Sequence, residues 1–422
     1  MHVGEKIKEI RRHLGLSQEN IARDLCCSVA TISRIERGQA ECGSDMLRAF
    51  KAAMGVEAAP LTDAEIATYR ERLYIWEQLM ADRRMSDARD LGQELSVILK
   101  LPHERDLILL YEIFEVKMLL AEGDFDNSYK KLDILEKSFK AISPEHHFHY
   151  YRARSTLYFR EDDGEQALKF GLKALELKED CRNLASLYYS IAVNYSMLNR
   201  PFAAIMYLEE ARRHHNDDML SVLGVFIDHV LPDSYLKIGE FSRAKPLLDA
   251  ALLRAESIGR KLGRKKYIGM ILHLLGIYYG KMGDAEQALD YFDRAFEYFW
   301  KGGPDYRENY YHKTRCLIVM RRYIEAKDMI EQALITDNNE KFTVLCNSLL
   351  HLMTLREIAS QNYLEHCAIP YLVDKSEYFI TLDFCEQLEE QYKKSGNGKK
   401  SLEIAVTARD VYAKIIFGQS QI

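Results

Sequence analysis

Near the N-terminus, the residues whose types and spacing could do chemistry are small polar side chains and arginines. From Ser28 to Gly38 the chain reads Ser-Val-Ala-Thr-Ile-Ser-Arg-Ile-Glu-Arg-Gly. A short helix that exposes small and basic side chains after a tight turn can enter a DNA major groove, which is about 12 Å wide. The chemistry this pattern predicts is hydrogen bonding to base edges and phosphates.

No comparable pattern of catalytic or metal-binding residues is found. The His146-His147-x-His149 and His214-His215 groups lack cysteine or carboxylate ligands at suitable spacing, so we expect no metal and no cofactor. The sequence also lacks a dinucleotide fingerprint, a phosphate loop, a nucleophile elbow and an H-E-x-x-H motif, which argues against an enzyme. The eight cysteines form no C-x-x-C pair and are expected to be reduced thiols. The adjacent Cys26 and Cys27 either fill a helix-to-helix turn or sense redox change.

Composition predicts an all-α fold. The 422 residues contain only 8 prolines and 22 glycines, which leaves room for long uninterrupted helices. The net charge is -6, from 58 Lys and Arg against 64 Asp and Glu. The first dozen residues reach charge at once and carry no apolar block, and no run of about 18 apolar residues follows, so we expect a soluble cytoplasmic protein.

Hydrophobic spacing divides residues 1–57 into four short helices. Apolar residues recur every three or four positions, and Gly15 and Gly38 end the first and third helices. Ser17 and Ser28 are suited to cap the second and third. The predicted helices span residues 5–14, 18–25, 29–37 and 44–54.

This segment resembles the DNA-binding domain of the Cro/C1-type (XRE) repressors. The resemblance rests on Gly-Leu-Ser-Gln-Glu-Asn-Ile-Ala at residues 15–22 and on the sequence quoted above for residues 28–38. It implies a helix-turn-helix domain in which residues 29–37 are the recognition helix.

The resemblance also implies which residues contact DNA. Arg34 would donate two hydrogen bonds to a guanine, worth about 1 to 3 kcal/mol of discrimination, and Val29 and Ala30 would contact thymine methyl groups. The implied contacts are Val29, Ala30, Ser33 and Arg34 for base edges, and Gln18, Thr31, Arg37 and Gln39 for phosphates.

Three further features qualify the DNA-binding prediction. By the same resemblance Arg11 pairs with Glu36 inside the domain and does not contact DNA. Cys26 stands where the family usually has a turn glycine, so the turn is expected to be strained or reshaped. Residues 1–57 hold nine Lys and Arg against eight Asp and Glu, so a single copy should bind DNA weakly and two copies should share a twofold site. The alternative is that this module binds protein.

From about residue 62 onward a pattern recurs about every 38 residues. Its clearest unit, Leu275 to Ala295, reads Leu-Gly-x-x-Tyr-x-x-x-Gly-x-x-x-x-Ala-x-x-x-Phe-x-x-Ala and resembles the tetratricopeptide repeat, a pair of antiparallel helices. A gap of 75 residues before the last unit leaves room for one degenerate repeat near Leu364. The small residue that opens the second helix of each pair recurs at Ser128, Ala167, Ala204, Ala244, Ala288, Ala326 and Ser401.

Stacked repeats of this kind form a superhelical solenoid with a concave surface suited to a peptide or a partner helix. Asn194 is the leading candidate contact because its amide both donates and accepts hydrogen bonds and can pair with a peptide backbone. Arg152 and Arg315 could hold a carboxylate in a forked pair. Each candidate could equally be an exposed or internally bonded side chain. The predicted peptide contacts are Arg152, Thr156, Ser190, Asn194, His229, Asp233, Tyr311, His312 and Arg315.

The order of the two parts resembles the peptide-regulated quorum-sensing receptors of Gram-positive bacteria, the Rap, NprR, PlcR and PrgX group, and looks most like the NprR branch. This resemblance implies a transcription regulator, a homodimer or a higher oligomer, that binds double-stranded DNA at a twofold-symmetric operator. A short signalling peptide would change its oligomeric state or its DNA-binding geometry. The alternative is a regulator whose repeats bind a partner protein, such as a response regulator or a phosphorelay component. The predicted domains are 1–60 for the helix-turn-helix, 61–101 for a linker helix pair and 102–422 for ligand binding and oligomerisation.

Overall fold

The structure, a computed structural model, describes residues 3–54, 61–99, 104–137, 143–178, 184–215 and 221–417. Regular secondary structure in these ranges is helical, with no β-strand, as the composition predicts. None of the described helices combines the length and apolar character needed to cross a membrane. Cys181, one of the eight cysteines, and the predicted domain boundaries at residues 60 and 101 lie outside the described residues.

The chain divides into two compact units. Unit 1 comprises residues 1–161 and 173–181, and unit 2 comprises residues 162–172 and 182–422. The predicted domain boundaries at residues 60 and 101 are a different kind of division, based on sequence pattern, and remain a proposal.

Unit 1 begins with the four predicted short helices. Their interior is formed by the predicted apolar positions, among them Ile7, Ile32 and Phe50, which are fully buried. Leu14, the last residue of the predicted first helix, is 44% exposed, and α1 ends one residue before it. These helices are α1 (Val3–His13), α2 (Gln18–Asp24), α3 (Val29–Glu36) and α4 (Ser44–Met54).

Five longer helices complete most of unit 1. The first is opened by a reciprocal cap, in which Thr62 accepts from the backbone N–H of Glu65 while the Glu65 carboxylate accepts from that of Thr62. Trp76 lies 2% exposed in the apolar core between these helices. They are α5 (Asp63–Ala81), α6 (Met85–Ile98), α7 (Arg105–Glu122), α8 (Phe125–Lys137) and α9 (Pro144–Arg160).

Helix α10 (Gly164–Glu176) contributes residues to both units, and the helices after it belong to unit 2. Within unit 2 each helix packs against the next, and the first helices of successive pairs, α11, α13, α15, α17 and α19, also contact one another in series. The pairs are α11 (Leu184–Met197) and α12 (Pro201–His214), α13 (Val222–Lys237) and α14 (Phe241–Leu262), α15 (Lys266–Lys281) and α16 (Ala285–Phe296), and α17 (Pro304–Val319) and α18 (Tyr323–Thr336).

The C-terminal part of unit 2 is less regular. Leu364, near which the sequence predicts a degenerate repeat, is fully buried and opens a π-helical turn over Leu364–Ala368. This departure from α-helical spacing explains why the repeat pattern is lost there. The elements are α19 (Glu340–Met353), α20 (Ile358–Tyr363), the π-helical turn, α21 (Ile369–Asp374), α22 (Tyr378–Lys394) and α23 (Gly398–Phe417).

The repeat register predicted from small residues is confirmed. The first six of the aligned positions are fully buried and Ser401 is 7% exposed. At Gly276 an added Cβ would lie 2.6 Å from the Cδ1 of Phe292, too close for any side chain. The glycine and the aromatic residue of the repeat pattern are therefore a single packing contact between α15 and α16.

Candidate nucleic-acid interface and repeat-face site

Two serine caps and a strained turn position the helix-turn-helix. The Ser17 side chain accepts a hydrogen bond from the backbone N–H of Asn20, and Ser28 does the same for Thr31, each at 3.1 Å. Between the two helices Cys26 has a φ of 49°, in the left-handed region. The turn therefore keeps the conformation that a glycine would adopt, at a cost of about 1 to 2 kcal/mol.

A buried ion pair connects α1 to α3. Arg11 donates from Nε and Nη2 to the two carboxylate oxygens of Glu36 at 2.5 and 2.9 Å, as the sequence predicts. Gln18 donates to the same carboxylate at 2.7 Å. Burial alone raises the pKa of Glu36, but the hydrogen bonds from Arg11 and Gln18 hold it below its usual range. Arg11 thus positions α3, and part of the hydrogen-bonding capacity of Gln18, a predicted phosphate contact, is used inside the domain.

The predicted base-contacting positions share the solvent face of α3. Val29, Ala30 and Arg34 are exposed, and Ser33 is half-buried. Arg37 donates to the hydroxyl of Ser33 at 2.7 Å, so these two side chains are held together along the helix. Of the remaining predicted phosphate contacts, Thr31 is half-buried, and Arg37 and Gln39 are exposed. Whether these residues contact DNA remains a prediction.

Two basic residues outside the predicted set of DNA contacts lie on the same surface. Lys8 and Arg12 of α1 line the same surface depression as Ser17 and Arg37. They lie four residues apart and therefore share one helix face, which is a signal that the sequence does contain. We add them to the candidate phosphate contacts.

Basic groups in the domain are fewer at the surface than the sequence suggests. Lys6 is 6% exposed and its Nζ lies 2.5 Å from a carboxylate oxygen of Glu104, whose other oxygen accepts from the backbone N–H of Leu61 at 3.1 Å. Arg11 is 8% exposed. At least two of the nine Lys and Arg are thus already paired, which strengthens the argument for two copies on one DNA site.

Two predicted peptide contacts lie in unit 1, on α9. Thr156 is exposed and donates to the backbone carbonyl of Arg152 at 3.0 Å. The Nη1 of Arg152 lies 3.5 Å from the carboxylate of Glu77. A peptide carboxylate at Arg152 would therefore share the guanidinium with Glu77.

The other predicted peptide contacts belong to unit 2, and two of them differ from expectation. Asn194 and Tyr311 are each 2% exposed. Tyr311 packs in an apolar cluster that includes Ile330 and Leu345, and burial raises the pKa of its phenol. Neither side chain is presented on an open face. A direct contact with peptide would require the packing around them to change.

The remaining candidates in unit 2 are at least partly accessible. The Ser190 hydroxyl donates to the backbone carbonyl of Leu187 at 2.8 Å, Asp233 forms an ion pair with Lys237 at 2.7 Å, and Arg315 pairs with Asp383. His229 and His312 are half-buried, and burial lowers the pKa of both, that of His312 to about 3. His229 interacts electrostatically with Asp233 on α13, and His312 with Arg315 on α17.

Comparison with known proteins supports both parts of this description. Residues 2–64 match the family model described as a helix-turn-helix domain. The uncharacterized protein MJ0572 of Methanocaldococcus jannaschii is 33% identical over 64 residues, which are 15% of this chain and 70% of that protein. The helix-turn-helix predicted from residues 15–38 is thereby confirmed.

Three solved structures are similar over most of their length. The apo form of the quorum sensor NprR from B. thuringiensis is 21% identical, with 83% of this chain and 100% of that chain covered and a TM-score of 0.66. A Rap protein complexed with competence and sporulation factor is 14% identical, with 83% and 98% covered and a TM-score of 0.68. NprR in complex with its cognate peptide NprX is 20% identical, with 77% and 98% covered and a TM-score of 0.58.

At these identities the structural likeness shows the fold and no more. The chain belongs to the helix-turn-helix family through its N-terminal DNA-binding domain, and its helical repeats have the fold of the NprR and Rap structures.

Proposed function

We propose that this chain is a cytoplasmic transcription regulator whose helical repeats bind a short signalling peptide and thereby change how two copies of its helix-turn-helix domain engage DNA. The observation that carries the proposal is the combination of an exposed recognition helix with half-buried polar side chains along the first helices of the repeats. NprR, which shares the repeat fold, has been solved with its cognate peptide.

The proposed division of labour follows the predicted domains: residues 1–60 contact DNA, 61–101 form a linker helix pair, and 102–422 bind ligand and oligomerise. The contacts of the Glu104 carboxylate support a mechanical link between the ligand-binding residues 102–422 and the two ranges before them. It bonds both Lys6 of α1 and the backbone N–H of Leu61 just before α5. A peptide shifts the equilibrium between DNA-binding states only if it binds one of them better, ordinarily by about 1 to 3 kcal/mol.

The DNA-binding part is tested with Arg34→Ala. The probe is a double-stranded DNA pool enriched by repeated selection on the wild-type full chain. Because the variant loses the proposed forked contact to guanine, its affinity for the enriched sequence should fall about 10- to 100-fold, equivalent to about 1 to 3 kcal/mol.

Arg48→Ala is the matched control. Arg48 is an exposed arginine on α4, paired with Asp45 at 2.7 Å, and its removal should leave affinity for the enriched DNA nearly unchanged. If selection enriches no sequence, or if Arg34→Ala and Arg48→Ala bind the enriched sequence equally well, the proposed recognition helix is wrong.

The peptide-binding part is tested with two aspartates in equivalent pairs. Asp233 on α13, a first helix, pairs with Lys237 at 2.7 Å, and Asp249 on α14, a second helix, pairs with Lys245 at the same distance. Calorimetry with a synthetic library of short peptides should detect binding to the wild-type chain. Asp233→Asn should weaken that binding about tenfold and Asp249→Asn should not, since only α13 lies on the proposed binding face.

A wild-type chain that binds none of the peptides but forms a stoichiometric complex with a purified response regulator would favour the alternative function. In that case the same aspartate pair tells whether the partner protein uses the first-helix face.

A further inference from the structure

Three side chains in unit 2 converge from two helices. In the described part of the chain they form the one group of histidine, cysteine or carboxylate side chains whose donor atoms, one from each residue, all lie within 4.8 Å of one another. Glu308 and His312 are four residues apart on α17 and share a helix face, and His273 approaches from α15. The Nε2 of His273 lies 3.9 Å from a carboxylate oxygen of Glu308, which is beyond hydrogen-bonding distance.

The hydrogen bonds around His273 fix which ring nitrogen carries the proton. The carbonyl oxygen of Phe292 can only accept, so the amide NH₂ of Asn309 must be the group that lies 2.8 Å from it. The amide oxygen of Asn309 then faces the Nδ1 of His273 at 2.9 Å, and Nδ1–H donates to it. In the neutral ring Nε2 is therefore left with a lone pair directed away from Asn309.

That lone pair has no hydrogen-bond partner among the described residues, although His273 is only 6% exposed. A buried acceptor without a partner costs about 1 to 3 kcal/mol, so its retention calls for an explanation. Asn309, which holds the ring in this orientation, is itself fully buried.

We propose that His273, Glu308 and His312 form a binding site for a divalent transition-metal cation, with zinc as the reference ion. Two imidazoles and one carboxylate are a known ligand set for zinc sites that keep a fourth position open. An imidazole that binds zinc through one nitrogen ordinarily donates its other N–H to a carbonyl, carboxylate or water, which is the role Asn309 fills here.

The geometry needs only small adjustment to close around an ion. Ligand atoms that lie about 2.0 to 2.2 Å from a tetrahedral zinc ion are about 3.4 Å from one another. The Glu308 side chain is 65% exposed and His312 is half-buried, so both can move towards the fixed Nε2 of His273. The ring of Phe292, with its centroid 5.8 Å from that of His273 and 6.2 Å from that of His312, forms an apolar wall beside the site.

The alternative arrangement of the same residues is an ion pair between a protonated His273 and Glu308. Lys237, which interacts electrostatically with Glu308, would then add a second cation on the same carboxylate. An experiment can distinguish the metal site from this ion pair, because only the metal site requires His312. In addition, the binding of a metal ion can be measured directly by titration, unlike the binding of a proton to His273.

The experiment is calorimetric titration of the tag-free, reduced, metal-stripped full chain with Zn²⁺ at neutral pH and without peptide. The wild-type chain should bind one ion, and His312→Ala and Glu308→Gln should each weaken binding by at least tenfold. With Co²⁺ the wild-type chain should give the visible absorption of a tetrahedral nitrogen and oxygen site, without a sulfur-to-cobalt charge-transfer band.

A matched pair elsewhere in unit 2 serves as the control. Glu210 and His214 on α12 are also four residues apart, with Nε2 and a carboxylate oxygen 3.9 Å apart, but among the residues that the structure describes no third histidine, cysteine or carboxylate joins them. His214→Ala should leave Zn²⁺ binding unchanged. The proposal is overturned if the wild type binds no ion, if His214→Ala lowers affinity as much as His312→Ala does, or if the Co²⁺ spectrum shows thiolate ligation. None of these outcomes depends on whether a peptide binds.

Discussion

Two clusters built from the same kinds of side chain, one in each unit, differ in how completely their hydrogen bonds are satisfied. In unit 1 both ring nitrogens of His149 have partners, the Tyr74 hydroxyl at 3.2 Å from Nε2 and Lys117 Nζ at 3.0 Å from Nδ1. Glu77 joins this group through an ion pair with Lys117. In unit 2 the Nε2 of His273 has no partner among the described residues.

The difference separates a structural cluster from a candidate binding site. A fully satisfied polar network inside a protein holds its helices in one arrangement, and here it joins α5, α7 and α9. A network with one open acceptor leaves binding capacity unused, and here the open acceptor lies between α15 and α17. Histidine and carboxylate residues at repeat positions therefore do not by themselves indicate function. What separates the two clusters is whether every hydrogen-bonding group has a partner.

The largest expected effect comes from breaking the satisfied cluster with Glu77→Gln. Although burial works against ionisation, the charges of Lys117 and Arg152 are among those that hold the pKa of Glu77 well below its usual range. Without that carboxylate Lys117 loses its ion pair with Glu77, and the free energy of unfolding should fall by about 3 to 5 kcal/mol. Urea unfolding of the full chain measures this through the fluorescence of Trp76, which is buried in unit 1, with the exposed Trp300 replaced by phenylalanine in every variant compared.

Glu115→Gln provides the comparison for Glu77→Gln. Glu115 lies on α7 like Lys117, but its ion pair with Lys131 is about a third exposed on each side. Its loss should cost less than about 1 kcal/mol. Equal effects of the two substitutions would show that the cluster around Glu77 does not hold the helices together.

The second effect is a dependence of unit 1 stability on pH. Burial, followed by the charge of Lys117, lowers the pKa of His149 to about 4, against 6.5 in an exposed chain. The unfolded chain therefore takes up a proton at a pH where the folded unit does not. The free energy of unfolding of unit 1 is therefore highest above pH 6.5 and falls as the pH drops towards 4, by at most about 3 kcal/mol.

Urea midpoints measured at several pH values between 4 and 6.5 give the slope of stability against pH. His149→Gln should reduce it, whereas His366→Gln, at a histidine whose side chain is 64% exposed, should leave it unchanged. A wild-type stability that stays constant from pH 6.5 to 4, or a slope that persists in His149→Gln, would contradict the assignment to His149.

The smallest effect is expected in the unsatisfied cluster. Glu308→Gln should change the free energy of unfolding by less than about 0.5 kcal/mol, because its side chain is 65% exposed and makes no short contact with His273. Hydrogen exchange of the α15 and α17 backbone amides measures this. A loss of protection as large as that caused in α5 and α7 by Glu77→Gln would remove the contrast between the two clusters.

Much of the helix-turn-helix could be predicted because its information is local. Caps at Ser17 and Ser28, and the apolar stripe that includes Ile32, are set by neighbours within a few residues, and the structure has them where the sequence predicts. Lys8 and Arg12 were missed because their relevance depends on α1 lying beside α3. The pairing of Arg11 with Glu36 was predicted only through the family resemblance.

The repeat face was predicted less well than the repeats themselves. The buried small residues follow directly from helix packing and needed only the period of the pattern. Asn194 and Tyr311 were placed on an open face by register alone, and the structure buries both. Because an α-helix has 3.6 residues per turn, a shift of one position along the helix is enough to move a side chain from the open face into the contact with the next helix.

The amino-acid sequence by itself determined the all-helical fold, the DNA-binding motif and the period of the repeats, because capping, hydrophobic spacing and small-residue positions act over short distances along the chain. Only the tertiary structure decided which polar side chains meet. His273 and Glu308 lie on the first helices of two successive pairs, and Asn309 orients the histidine through a carbonyl of α16, the helix between them in the sequence. Such contacts depend on how helices pack, and packing is set by the sum of all their side chains, not by any local pattern.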